Sequence, residues 1–376
     1  MKGFPCSCAA AASFGLESLV RSEVEALGIH GVRVEDRRVR FDATAAEIAR
    51  CNLWLRTADR LFVTLARVPA AEFDALYEGV RAAAWRDWLA ADAAVTVEAS
   101  SVKSRLTAVP SLQSVTKRAI VDAVSPSVRM PESGPRYAVH VELRDDVATV
   151  SLDTTGAGLH KRGYRRHTGD APLRENLAAA MVMLSRWDPS RPLADPVCGS
   201  GTIAIEAALM AARIAPGLAR SFAAESWPTF PASAWKEERA SAAEARAQVR
   251  GLQVSITGSD RDPGMVSAAR ANAKSAGVED LVHFHAAPAS SFSPVGDYGC
   301  VICNPPYGER LGSEAEAQEL ARDLGTLHRA LPSWSFFVLS AREDFPRFFA
   351  ERASRNRKLY NGNLRCWLYQ YFGPLP

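Results

Sequence analysis

The octapeptide NPPYGERL, residues 304–311, follows an apolar run that includes Tyr298, Val301 and Ile302, and it joins an amide, two prolines and an aromatic ring. Adjacent prolines remove two backbone donors and fix two φ angles, so a strand must end there and the next residues are held extended. An amine conjugated to a nucleobase is a poor nucleophile, because its lone pair is delocalised into the ring. If the Asn304 side-chain oxygen and the Pro305 carbonyl both accept hydrogen bonds from such an amine, they orient it and favour its pyramidal, nucleophilic geometry. Tyr307 is then placed to stack on the base, which in a structured nucleic acid has to be extruded. A proline turn capping a buried strand explains the prolines alone. It leaves unexplained a polar Asn and an aromatic at a strand's carboxyl end, where open sheets bind ligands.

A second motif, DPVCGSGT, spans residues 195–202 at the junction of an expected strand and helix. Gly199 and Gly201 permit a tight turn, and the free N–H groups of the helix that opens at Thr202 can face a polar ligand. Alone, the loop could be only a tight connection. The next strand, however, ends in Asp260, with Arg261 after it, and an acidic group at that place is the usual acceptor for two ribose hydroxyls. Together they indicate a nucleoside-containing cofactor held by Asp195, Pro196, Gly199, Gly201, Thr202, Asp260 and Arg261. The 65 positions from Asp195 to Asp260 exceed the roughly twenty of dinucleotide enzymes, and no P-loop lysine follows Gly201. S-adenosylmethionine is the common ligand that remains.

The elements that must position these residues follow from pattern. From residue 172 helices alternate with short, continuously apolar strands, the texture of a doubly wound parallel sheet. An insertion at 214–250 carries prolines, four aromatics and a charged helix. The stretch YNGNLRCWLYQYF is expected to close the sheet as an antiparallel hairpin. Ahead of it, residues 4–9, 32–41 and LFVTLARV read as strands, and 15–27 and 44–60 as helices, the second opened by the capping box Thr44–Glu47. Residues 69–155 read as a second α+β unit. Length predicts two or three domains.

Composition narrows the class further. Hydrophobic residues make up 47% and charged residues 23%, as in an ordinary globular protein. Net charge is only +3, so a polyanionic partner must be met by local patches. No window approaches the apolar length of a membrane span, and the first residues alternate like a strand rather than a signal peptide. Seven scattered cysteines suggest reduced thiols and a cytoplasmic location. Cys300 and Cys303 have the spacing of a metal knuckle, but an offset of three on a strand puts the sulfurs on opposite faces, so no metal is expected.

DPVCGSGT, Asp260 and NPPYGERL, together with LHKRGYR (159–165) and APLRENLAAAM (171–181), resemble the THUMP-domain class I RNA methyltransferases, above all the bacterial 23S rRNA guanine-N2 enzymes. The resemblance covers the chain: residues 1–60 as a ferredoxin-like domain, 61–155 as a THUMP domain and 165–376 as an α/β Rossmann-like catalytic domain. NPPY alone is shared with other amine methyltransferases, and the GERL extension and LHKRGYR narrow the family. The resemblance implies that Asp195, Gly199 and Gly201 line the methionine end of the cofactor, that Asp260 meets its ribose, and that Asn304, Pro305 and Tyr307 hold the target amine. Where the family commonly places an acidic residue for the adenine, this chain has Ala286, Ala287 and Pro288.

For RNA, the strongest patch is the run containing Lys161, Arg162, Tyr164, Arg165 and Arg166, with Lys103 and Arg105, Lys117 and Arg118, and Arg352 through Lys358 as weaker candidates. The substrate expected by resemblance is 23S rRNA. Transfer RNA, adenine in DNA, and a non-catalytic RNA-binding role remain open on the residues alone, and oligomeric state is not legible.

Overall fold

The computed structural model describes residues 3–125, 130–165, 173–249, 251–306 and 314–375. In chain order these form β1 (Cys6–Ala12), α1 (Glu17–Ala26), β2 (Arg33–Glu35), β3 (Arg38–Ala43), α2 (Ala45–Trp54), β4 (Ala58–Pro69), α3 (Phe73–Arg81), α4 (Trp85–Trp88), β5 (Ala94–Val102), α5 (Val109–Val124), β6 (Arg136–Arg144) and β7 (Val147–Asp153). There follow α6 (Glu175–Ser185), β8 (Leu193–Asp195), α7 (Thr202–Ala211), α8 (Ala232–Ala247), β9 (Ile256–Asp260), α9 (Pro263–Ala276), β10 (His283–Ala286), β11 (Cys300–Cys303), α10 (Glu314–Ala330), β12 (Ser335–Ser340), α11 (Phe345–Phe349), β13 (Arg355–Asn361) and β14 (Leu364–Tyr371). Among the described residues no helix is long and apolar enough to cross a membrane.

The chain divides into two compact units, the first made of Met1–Ala12, Val20–Leu159 and Ser221–Ser241, the second of Ser13–Leu19, His160–Arg220 and Ala242–Pro376. In the first unit, one sheet runs β2-β3-β1-β4-β7-β6-β5. β4 pairs antiparallel with β1 on one side and with β7 on the other. The border expected at residue 60 therefore falls inside a strand, and the ferredoxin-like and THUMP portions share one sheet. The stretch 32–41, expected as a single strand, is a hairpin: it turns at Asp36–Arg37, where Arg37 takes φ 58°, and β2 pairs back on β3. The capping box at Thr44 forms as expected, with Glu47 N donating to Thr44 Oγ1 at 3.3 Å and Thr44 N to Glu47 Oε2 at 2.7 Å.

The aromatic insertion has a role its sequence position hides. Phe222, Trp227, Phe230 and Trp235 are buried in the core of the first unit, although they fall between α7 and β9 of the second. Trp227 stacks on Tyr137 at 4.6 Å and donates its Nε1 hydrogen to the Arg136 carbonyl at 3.0 Å. Glu238 receives a bidentate Arg50 guanidinium at 2.6 and 3.0 Å. Buried rings of this size contribute strongly by area alone, each worth roughly 2 to 3 kcal/mol on burial.

In the second unit the sheet order is β10-β9-β8-β11-β12-β14-β13. Its strands are parallel except β14, which runs antiparallel to β12 and β13, so the closing hairpin is present. β11 and β12 are buried at every residue, as expected of strands covered by helices on both faces. Cys300 and Ile302 join one core, and Val301 and Cys303 the other, which places the two sulfurs on opposite faces. Among the described residues no His/Cys/Asp/Glu group suits a metal. The strand order reverses between β8 and β11, the switch point where open α/β sheets leave a crevice.

Candidate active site

Both motifs meet at that switch point. β8 ends at Asp195 and β11 at Cys303, and the two strands pair in parallel with Val301 level with Ala194. Asn304 therefore projects beyond the strand end that Asp195 terminates. Pro305 is buried and Asn304 half-buried. The Asn304 Oδ1 atom is buried and has no hydrogen-bond partner among the described residues. A buried acceptor left without a donor costs about 1 to 3 kcal/mol, so the oxygen has unused capacity to accept a hydrogen bond. Tyr307 lies outside the described residues, as do the GERL extension (308–311) and Arg166.

The glycine loop is held from three directions. Cys198 N donates to the Ser259 carbonyl at 2.8 Å, Gly199 N to Asp260 Oδ2 at 2.9 Å, and Asn272 Nδ2 to the Ser200 carbonyl at 3.1 Å. Gly201 closes the turn at φ 82°, where a Cβ would stand 2.8 Å from the Phe284 ring and 3.0 Å from Ala269. Only glycine fits that approach of helix to strand. Gly199, at φ 51°, has open space beside it, its nearest neighbour being Met265 at 3.8 Å. Pro196 and Thr202 are buried in this turn.

Asp195 is 1% exposed and accepts from Val197 N at 3.2 Å. Burial, and then the nearby Asp260 charge, push its carboxyl well above the usual carboxylate range. Asp260 is half-buried and its Oδ1 also accepts from Asp262 N at 3.0 Å. Arg261 is exposed, with its guanidinium 3.5 Å from Glu316. After β10, Ala287 N donates to the Asp260 carbonyl at 3.0 Å. Residues that fit a nucleoside bearing a charged amino-acid tail are thus present: a cradle without side chains, a ribose-type carboxylate and a buried acid.

The basic run is arranged otherwise than its sequence suggests. Lys161 faces solvent, but Arg162 and Tyr164 are buried against Glu206, at 3.4 and 3.2 Å. Glu206 itself is fully buried. Arg165 donates to Thr202 Oγ1 at 2.8 Å and to the Leu173 carbonyl at 2.7 Å, with Glu175 at 3.5 Å. Arg165 therefore holds the start of α7, and Arg162 and Tyr164 its middle, rather than forming a solvated face, because two buried carboxylates need cationic and hydroxyl partners. In the first unit, Lys103 and Arg105 are exposed, and Arg105 is 3.4 Å from Asp146.

Two site residues escaped the sequence reading. Glu206 sits mid-helix in an alanine-rich stretch with no local partner, and nothing nearby in sequence announces it. Asn272 could have been found, since it lies on the buried stripe of α9 three residues after Ala269.

A parallel sheet of this order, with a glycine loop after its first strand, an acid ending the second and an Asn-Pro-Pro turn ending the fourth, defines a class I methyltransferase. The chain belongs to the RMKL-like methyltransferase family: the family model described as "RMKL-like, methyltransferase domain" matches residues 162–370, preceded by "RlmL ferredoxin-like domain" at 7–62 and "THUMP domain" at 70–153. It is similar to the putative RNA methyltransferase YpsC of Bacillus subtilis, 40% identical over 368 residues that cover 96% of this chain and 95% of the relative. It is also similar to the ribosomal RNA large subunit methyltransferase K/L of Legionella pneumophila, 36% identical over 369 residues, 95% of this chain and 52% of the relative. The chain thus spans about half the length of that protein. The crystal structure of SMU.472, a putative methyltransferase complexed with SAH, superposes with a TM-score of 0.92 at 40% identity, covering 99% of each chain.

Proposed function

We propose that this methyltransferase acts on the exocyclic N2 amine of a guanine in structured RNA, with S-adenosylmethionine as methyl donor and 23S rRNA as the substrate. The observation that carries the reading is the buried Asn304 Oδ1 at the carboxyl end of β11, without a hydrogen-bond partner among the described residues. The RNA assignment is supported by the THUMP portion and by the names of the relatives at 40% and 36% identity.

When bound, S-adenosylmethionine supplies an electrophilic sulfonium methyl group. Asn304 Oδ1 and the Pro305 carbonyl accept the two amine hydrogens, which turns the nitrogen lone pair out of the ring plane and fixes its direction. The prolines keep both acceptors from rotating away, and Tyr307 stacks on the extruded base. Among the described residues Cys303 offers no covalent route at this place: it faces the opposite core and burial pushes its thiol well above the ordinary range, so a thiolate nucleophile is not available there. The Gly199–Gly201 cradle and Asp260 hold the donor.

Nucleoside mass spectrometry of 23S rRNA, transfer RNA and genomic DNA from cells with and without the gene tests this. Loss of N2-methylguanosine from 23S rRNA is the expected result. Loss from transfer RNA would move the substrate, loss of N6-methyladenine from DNA would refute the RNA reading, and no change in any of the three would refute the assignment.

A further inference from the structure

We propose that the carboxyl rim of the second sheet carries a stacking platform for single-stranded RNA flanking the target base, built by Phe14, Lys358, Tyr360, Arg365 and Trp367. The inference rests on the reading of the chain as an RNA methyltransferase and extends it to a surface that reading does not use.

The strand register places this surface. Ser340, the last residue of β12, is level with Trp367 of β14, and Trp367 with Lys358 of the edge strand β13. Tyr360 and Arg365 face each other one step further out, past the end of β12. On the other side of β12, Val338 is level with Cys303, the residue before Asn304. The platform and Asn304 therefore emerge from the same edge of one sheet, three strand spacings apart, about 14 Å at about 4.8 Å per step. A few nucleotides bridge that gap.

Aromatic rings and cations alternate along it. The Phe14 and Tyr360 rings meet edge to face at 6.0 Å. Lys358 Nζ lies 6.0 Å from the Phe14 centroid and 5.6 Å from that of Tyr360, and the Arg365 guanidinium lies 6.0 Å from the Trp367 ring. Arg357 fastens the segment that carries Phe14 by donating to the Gly15 carbonyl at 3.2 Å. Trp367 Nε1 is buried with no acceptor among the described residues.

Edge strands often carry lysine and arginine simply to block pairing with another sheet. That accounts for the cations, but not for Phe14 and Leu364, both left 47% exposed at the same rim. Glu343 pairs with Arg365 at 2.6 Å, whereas Lys358 has no carboxylate partner among the described residues. An uncompensated cation, Lys358, between an exposed ring, Phe14, and a half-buried one, Tyr360, suits a polyanion with π faces, and an unpaired RNA strand is that ligand.

The test uses the full chain, a fluorescein-labelled single-stranded oligoribonucleotide, and RNA isolated from cells lacking the gene. The double variant Phe14→Ala/Tyr360→Ala should weaken oligonucleotide binding about tenfold and raise KM for the isolated RNA, with kcat and S-adenosylmethionine affinity unchanged. Lys358→Ala, a surface change that leaves the fold intact, should lower the slope of log affinity against log salt by about one. Wild-type affinity, KM and salt slope in all variants would overturn the platform while leaving the methyltransferase reading intact. A wild-type protein that neither binds nor methylates RNA would overturn both.

Discussion

The Gly199 amide donates to Asp260 Oδ2 at 2.9 Å, so the loop after β8 is clamped by the carboxylate that ends β9. Because Asp262 N holds the other oxygen at 3.0 Å, that carboxylate is oriented in advance, and each oxygen keeps a lone pair for a ribose hydroxyl.

Asp260→Ala removes the clamp and the acceptor together. It should lower S-adenosylmethionine affinity about tenfold or more, as read by calorimetry. Asn304→Ala should leave that affinity unchanged and slow methyl transfer by about a hundredfold, the scale of losing one preorganised polar contact to the reacting group. Exchanged phenotypes would overturn the assignment of both residues.

Gly201→Ala puts a methyl group 2.8 Å from Phe284 at a φ of 82°. The expected loss is about 1 to 3 kcal/mol of stability, seen as a lower melting temperature, together with weaker cofactor binding. An unshifted melting curve would mean that the helix and strand separate freely at that contact.

Lys161 and Arg162 are neighbours with opposite surroundings. Arg162→Ala strands the fully buried Glu206 and should cost about 3 to 5 kcal/mol, measured by denaturant unfolding. Lys161→Ala, at an exposed position, should leave stability unchanged, and any effect should be confined to the salt dependence of RNA binding. If Arg162→Ala unfolded at the wild-type midpoint and only RNA binding changed, the buried role would be wrong.

The pH dependence of stability isolates Asp195. Burial, ahead of the Asp260 charge, raises its pKa well above the usual range, so the folded state favours the neutral carboxyl. The stability this group contributes is complete below its unfolded value, about 3.9, and is lost as pH climbs through the raised folded value. Asp195→Asn removes that loss. The melting temperature of the variant minus that of the wild type, taken without cofactor, should be more positive at pH 8 than at pH 5; a difference that stays flat would show that the carboxyl ionises freely.

Local chemistry was legible in the sequence because its causes are local. Two prolines must stop β11, Thr44 with Glu47 must open α2, an offset of three must part Cys300 from Cys303, and glycines after a strand must form a tight turn into the next helix. The parallel sheet was legible too, since strands buried on both faces read as unbroken apolar runs. What tertiary structure alone decided are relations between distant residues. β4 continues far enough to join two expected domains into one sheet, and the aromatics of 221–241 fill a core earlier in the chain, because burial of large rings depends on where a surface is open and not on sequence order. A run of cations that reads as a solvated patch is instead turned inward at Arg162 and Arg165, because Glu206, 44 positions from Arg162, is a buried charge whose need for a partner no local pattern reveals. The same holds for Asn304: its type and place were readable, but that its oxygen is buried without a donor among the described residues is a property of the folded crevice.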